Sequence, residues 1–199
     1  MALRNYSSIV SIETLMARLD LIDPSAEFDA QLILDLRSRK RGNFLKTGGE
    51  SVDKQMAYLR QYKMRFEANE EIYFKIWDKS REAYQGVVRF TELSSGGKFN
   101  WESFVVYENC SPMMPIDVML STYQFGFEFF NKQVCGPWQV DRRHNQMMRI
   151  HEFIGMYNYS DCNAEDESYF WIEVNLKPYL DKIVRFKKMG LGIKEIKWK

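Results

Sequence analysis

Two histidines, His144 and His151, are the only imidazoles in this chain, and both fall in one helix-like stretch. An imidazole titrates near neutrality and suits proton transfer. The plainer alternative is a surface position for His144 and a surface or packed position for His151. Glu92, Glu102 and Glu173 lie on or at the ends of strand-like segments. A strand carboxylate facing a cleft can act as a general base, although most are solvated surface. Tyr84, Trp101 and Trp171 could stack on a sugar or a base, with burial in the core as the alternative. Glu165-Asp166-Glu167 could attract a polyamine, but reads most simply as a solvated turn.

Cysteine chemistry is not expected. Cys110, Cys135 and Cys162 are odd in number, widely spaced and free of CxxC pairs, which argues against a disulfide framework and a zinc site. Charge is balanced, with 28 Lys+Arg against 27 Asp+Glu. Nucleic-acid binders usually carry a basic excess or stripe, so no nucleic-acid partner is expected. The basic clusters Arg37 to Arg41 and Lys182 to Lys188 fit solvated helix faces. No stretch approaches the ~20 apolar residues that span a bilayer. The N-terminal MALRNYSSIVS lacks the apolar core and cleavage pattern of a signal peptide. A cytoplasmic protein with no membrane partner is the expectation.

The elements that must position these groups alternate along the whole length. With 199 residues, 45% of them hydrophobic, a single domain over 1–199 with a real core is expected. Thr14 to Asp23 reads as a first strand, and Asp23-Pro24-Ser25 as the start of a helix from Ala26 to Lys40. Gly42 and Thr47-Gly48-Gly49 break the chain, and Ser51 caps a second helix with Val52, Met56, Leu59 and Phe66 on one face. Ile72 to Trp77, Tyr84 to Leu93 and Trp101 to Glu108 form a meander. Pro115 opens a helix with Ile116, Leu120, Tyr123, Phe127 and Phe130 as its stripe. Val134 to Val140 is a strand interrupted by Gly136-Pro137, suited to a splayed position. A helix from Asn145 to Phe153 ends at Gly155. Strands Met156 to Asp161 and Tyr169 to Asn175 precede a last helix from about residue 176. The order β-α-α-β-β-β-α-β-α-β-β-α predicts an α/β (α+β) fold, a mixed sheet with helices on both faces.

This order, together with VDRRHNQMMRIHEFIGM from Val140 to Met156, resembles the GNAT acyl-CoA N-acyltransferase superfamily over nearly the whole chain. In the family a strand-end Val is followed by an Asn, an apolar helix, an aromatic or His, and Gly-Phe; here Gly155-Met156 stands for Gly-Phe. IYFKIW, GVVRFTEL, WESFVVYE and His151 make the chain most similar to acetyltransferases of nucleotide-linked amino sugars, of the pseudaminic-acid pathway type. Two features depart from the family. Its glycine-rich loop for the CoA pyrophosphate is here Asn109-Cys110-Ser111-Pro112-Met113-Met114-Pro115, without glycine, and the prolines remove two donors. The family's Asn falls on His144, with Asn145 one place later.

The resemblance implies an N-acetyltransferase that uses acetyl-CoA and no metal. The acceptor is a small-molecule amine on a nucleotide-linked sugar in surface polysaccharide synthesis. A protein N-terminus, a polyamine, or a non-catalytic GNAT-shaped binding module are the alternatives, and a homodimer is left open. His151 would supply a proton to the leaving thiolate and Glu102 would act as base. The pantetheine arm would pair with the strand edge of Phe104, Val105, Val106 and Tyr107. A backbone N–H near Val106 would meet the oxyanion. Met114, Ile116 and Asp117, together with His144, Asn145, Met148 and Phe153, would complete the cofactor contacts.

Overall fold

The computed structural model describes residues 8–39, 51–94, 96–161 and 169–199. A hairpin of β1 (Ile9–Thr14) and β2 (Ala17–Leu21) leads into α1 (Glu27–Ser38) and α2 (Val52–Glu67). The meander β3 (Ile72–Asp78), β4 (Ala83–Thr91) and β5 (Lys98–Val106) follows. Next, α3 (Met114–Gln124) runs into a π-helical turn at Phe125–Phe129. Then come β6 (Val134–Asp141), α4 (Asn145–Ile154), β7 (Tyr157–Asp161), β8 (Tyr169–Asn175), α5 (Leu176–Lys188) and β9 (Ile193–Trp198). Among the described residues, nine strands form one sheet in the order β7-β8-β6-β5-β4-β3-β2-β1-β9. Every neighbouring pair is antiparallel except β5 and β6. No described helix is long and apolar enough to cross a membrane.

Local chemistry explains the element ends. Ser51 accepts a hydrogen bond from Lys54 N at 3.3 Å and so caps α2. Gly155 closes α4 in the left-handed region, at φ 67°, where a side chain would be strained. The single strand expected from Thr14 to Asp23 is corrected to a tight turn followed by β2. Thr14 Oγ1 accepts from Ala17 N at 2.9 Å and closes that turn. Two strands were not foreseen, β1 and β9, and they pair with each other through irregular register at both ends. The expected end of the first helix at Lys40, the breaks at Gly42 and Thr47-Gly48-Gly49, Cys162 and the acidic triplet 165–167 lie outside the described residues.

Helices cover both faces of the sheet. On one face, Ile33 and Leu36 of α1 and Leu59 and Tyr62 of α2 pack against Tyr73, Val87 and Val105 of the strands. On the other, Leu120 and Tyr123 of α3 and Ile183 and Phe186 of α5 pack against Phe74, Phe90 and Trp101. Each fully buried large side chain contributes about 1.5–3 kcal/mol relative to exposure, so both layers are needed to hold the sheet.

The feature that makes the site is a split in the sheet. β5 and β6 run parallel only through the pairs Lys98–Val134 and Phe99–Cys135. Beyond that point β6 follows β8, pairing as far as Asp141–Tyr169, with an irregularity between Cys135 and Trp138. Gly136 lies at φ 100°, and a Cβ there would come within 2.7 Å of the Ile172 carbonyl. Only glycine fits that bend, and Pro137 offers no N–H to resume the ladder. On β5, Ser103 adopts φ 51° at a register shift against β4. Such a bulge twists the strand and re-aims its side chains.

Candidate active site

The split opens a cleft of about 430 Å³. Its floor is β5 from Asn100 to Phe104, and one wall is β6 from Pro137 to Asp141. Tyr169 and Trp171 of β8 and His144 and Met147 of α4 close the sides. Arg37 of α1 and Arg89 of β4 complete the lining. A narrow hollow of about 30 Å³ continues between Phe104 to Val106 of β5, Pro115 of α3 and the first turns of α4. Phe104, His144 and Met147 line both spaces.

Polar groups in the cleft are largely paired. Arg89 binds Glu102 and the Tyr58 hydroxyl, and lies 3.7 Å from Glu71. Burial lowers its basicity, but Tyr58, Glu102 and Glu71 outweigh that and keep Arg89 firmly charged. Thr91 donates to the other oxygen of Glu102 at 3.3 Å. Arg143 grips Asp141 at 2.6 Å and holds that carboxyl below its ordinary range. Arg37 reaches Ser103 Oγ at 3.4 Å. Among the described residues, Asn100 Oδ1, Trp101 Nε1 and Arg89 Nε are buried lining atoms without a hydrogen-bond partner, and Asn100 is 8% exposed. Buried polar atoms are nearly always satisfied, so an orphan acceptor on a residue that lines a cleft is a candidate ligand contact.

Beneath the floor lies an aromatic cluster. Trp101 stacks on His151 with ring centroids 6.2 Å apart and planes 4° apart, and Trp138 leans on both. His151 is buried, its Nδ1 is 2.9 Å from the Met147 carbonyl, and its Nε2 is 2.8 Å from the Tyr123 hydroxyl. Burial pushes its pKa down to about 4. The expectation that His151 protonates a leaving thiolate is therefore corrected: it lines neither space, and a neutral buried ring is a poor proton source.

Other expected contacts sort by what they touch. Phe104, Val105 and Val106 line the narrow hollow, as does His144, whose Nδ1 caps α4 by accepting from Met147 N. Asn145 opens α4 beside it. Ile116 and Met148 pack on the core as half-buried residues. Four expectations are corrected. The Tyr107 side chain crosses to α1 and bonds Asp35 at 2.5 Å, while its N–H is taken by the Gln85 carbonyl. Met114 is fully buried, with its N–H on the Ser111 carbonyl. Asp117 is fully buried and accepts from Thr14 Oγ1, Met16 N and Gly192 N. Phe153 packs on Phe186 and Arg185 of α5, away from both spaces. Of the stacking candidates, Trp101 and Trp171 line the cleft, whereas Tyr84 packs on Trp77 and bonds Asp20. Glu173 is bound by Asn175, and Glu92 is exposed; neither lines the cleft.

The open side of β5 next to the narrow hollow is, among the described residues, an unpaired strand edge. Strand N–H groups alternate in direction, and Tyr107 N donates to Gln85 on β4. The N–H of Val106 therefore points to the side that β6 has left. A peptide-like pantetheine can pair there as an added strand. The loop from Asn109 to Pro115 does not fit the diphosphate as well. Cys110 N donates to the Tyr107 carbonyl, Ser111 N to Asp78, and Met114 N to the Ser111 carbonyl. Two prolines have no N–H.

No family model and no curated protein matches the sequence. Solved structures do match. Apo FdhC, a nucleotide-linked sugar GNAT, superposes with a TM-score of 0.72 at 19% identity, over 92% of this chain and 98% of that one. The spermidine N-acetyltransferase from Vibrio cholerae, in complex with CoA and spermine, gives 0.62 at 14% identity, over 83% and 98%. The N-acetyltransferase PseH from Campylobacter jejuni gives 0.58 at 11% identity, over 81% and 99%. The chain has the GNAT acetyltransferase fold.

Proposed function

We propose that this protein is an N-acetyltransferase that moves an acetyl group from acetyl-CoA to the primary amine of a small acceptor, an amino sugar linked to a nucleotide. The observation that carries the reading is the split between β5 and β6 in a GNAT fold, with a free strand edge on one side and a polar, aromatic cleft on the other. Acetyl-CoA supplies a thioester: the amine nitrogen bonds to the acyl carbon, the C–S bond breaks, and the amine proton goes to solvent or a base.

The chain's own residues supply position and charge. Val106 N–H on the free edge would donate to the oxyanion. Glu102, steadied by Arg89 and Thr91, faces the cleft as proton acceptor for the amine. His144, which lines both spaces, replaces His151 as the imidazole beside the leaving thiolate. Trp171 and Tyr169 offer ring faces to a sugar or base, and Arg37 offers a cation to a phosphate.

Charge favours this acceptor over a polyamine. A polyamine site is expected to be strongly acidic, yet the lining carboxylates Glu102 and Asp141 are each bound by an arginine. FdhC, a nucleotide-linked sugar GNAT, supports a sugar as a neighbour; the spermidine enzyme shows that the fold alone does not choose. Thiol release from acetyl-CoA, screened over nucleotide-linked amino sugars, peptides and polyamines, tests the reading. Turnover is expected with a nucleotide-linked amino sugar, and turnover only with peptides or polyamines refutes that acceptor.

A further inference from the structure

Asp78, the last residue of β3, places a carboxylate under the turn that opens α3. It is fully buried. Ser111 donates to it from N at 2.7 Å and from Oγ at 2.8 Å. Ser80 donates from N at 3.0 Å and from Oγ at 3.0 Å, and Arg81 N lies at 3.3 Å. Burial alone would raise this carboxyl, but the bonds from Ser111 and Ser80 overcome it and hold the group below its usual range. A permanent negative charge therefore sits at the positive end of α3, where a bound anion would otherwise be favoured.

The same turn has few donors left to offer. Pro112 and Pro115 have none, and the N–H groups of Cys110, Ser111 and Met114 are already spent inside the protein. A second carboxyl, Asp117, occupies the first turn of the helix and is likewise bonded internally. A diphosphate approaching this loop would meet a like charge and few donors. By contrast, the free edge at Val106, beyond the point where β6 leaves β5, can pair with the uncharged, peptide-like arm of the donor.

From Asp78 and the closed loop, we infer that this protein recognises its acyl donor by the pantetheine arm and gains little from the nucleotide diphosphate. Its donor class is then acyl-pantetheine thioesters in general, with or without the nucleotide. The chemistry is unchanged: the N–C bond forms, the C–S bond breaks, and pantetheine leaves as the thiol with one proton. The inference rests on the acetyltransferase reading above.

The test compares acetyl-CoA with S-acetylpantetheine on the full chain, by calorimetric binding of CoA and of pantetheine and by kcat/KM with the same amine acceptor. The two donors are expected to agree within about tenfold, the factor that ~1.4 kcal/mol represents. A larger preference for the CoA form overturns the inference and leaves the acetyltransferase reading standing. If neither thiol binds and neither thioester reacts, that reading falls and takes the inference with it. Asp78→Asn supplies a second measurement: it should tighten CoA severalfold and leave pantetheine unchanged. An unchanged CoA affinity in a folded Asp78→Asn protein overturns the role given to Asp78.

Discussion

Tyr123 donates its hydroxyl hydrogen to Nε2 of His151 at 2.8 Å, deep beneath the cleft. The direction follows from the other nitrogen. Nδ1 lies 2.9 Å from the Met147 carbonyl, which can only accept, so Nδ1 carries the proton of the neutral ring. Burial pushes the His151 pKa from 6.5 down to about 4, so the native state keeps the ring neutral. In the unfolded chain it takes up a proton near 6.5. Between those values the unfolded state binds more protons, and stability falls as pH falls from about 6.5 towards 4. Fully expressed, the loss is on the order of 3 kcal/mol. Gln at 151 can keep both hydrogen bonds without titrating. His151→Gln should therefore flatten this part of the stability curve, read from urea melts at pH 7, 5.5 and 4.5. An acid limb identical to that of the parent would rule out the buried neutral ring.

The same variant separates the two imidazoles in catalysis. His144 lines both spaces and His151 lines neither. His144→Gln should lower kcat about tenfold or more, within the usual range for losing a proton-transfer group. His151→Gln should leave the pH–rate profile in place. A kinetic pKa that vanishes only in His151→Gln would return His151 to the proton-donor role.

Asp117 ties three parts of the chain together through buried bonds to Thr14, Met16 and Gly192 at 2.6–2.7 Å. Asp117→Ala leaves Met16 N and Gly192 N without that acceptor, while the Thr14 hydroxyl still has the Ala17 carbonyl at 3.0 Å. At ~1–3 kcal/mol for each unsatisfied group, partly relieved by relaxation, the cost should be about 3–5 kcal/mol. That corresponds to a fall in Tm of roughly 6–20 °C for a domain of this size. Hydrogen exchange should show the loss first in β9, which Gly192 precedes. A drop below ~1 kcal/mol would mean that water replaces the carboxylate.

Much of the fold was legible in local chemistry. Ser51, the run IYFKIW and Gly155 mark a cap, a strand and a helix end without tertiary help. The outer strands were hidden for a physical reason. Register shifts at Val10 and Lys194 break the alternation of Ile9 with Ile12 and of Ile193 with Ile196, so the period-2 signal disappears. For the site, the sequence pointed to the motif helix but misjudged its faces. His151 follows Met147 by four residues and precedes Ile154 by three, and all three are buried; that spacing is the signal for an inward position. Arg37, Arg89 and Gln139 come from separate elements and meet only in three dimensions. Asn100 had a faint local signal, sharing a strand face with Glu102 opposite Phe99 and Trp101.

Gly126 lies in the π-helical turn directly over Phe99, the residue at which β5 and β6 part. A Cβ on Gly126 would sit 2.1 Å from Phe99 Cζ. Phe99 is fully buried and cannot step aside freely. Gly126→Ala should cost about 2–3 kcal/mol through overpacking. Combining it with Phe99→Leu should recover part of that loss, because the smaller side chain removes the clash. Purely additive losses in the double variant would show that the glycine serves the turn and not the ring.

Asn100 allows stability and function to be set against each other. Its Oδ1 is buried without a partner among the described residues, and the residue lines the cleft. An unsatisfied buried acceptor costs ~1–3 kcal/mol in desolvation, and that cost is recovered only when something donates to it. An acceptor sugar with hydroxyl or amine hydrogens would do so. Asn100→Leu, similar in size and apolar, removes the orphan. The free protein should keep its Tm or gain a few degrees. The KM for the amine acceptor should rise about tenfold or more, since ~1.4 kcal/mol of lost binding is a factor of ten. The affinity for the acyl donor should not move, because Asn100 does not line the narrow hollow. Thermal melts and initial rates at varied acceptor and varied donor separate these effects. A fall in Tm with unchanged acceptor KM would make Asn100 a structural residue and move the acceptor subsite elsewhere in the cleft.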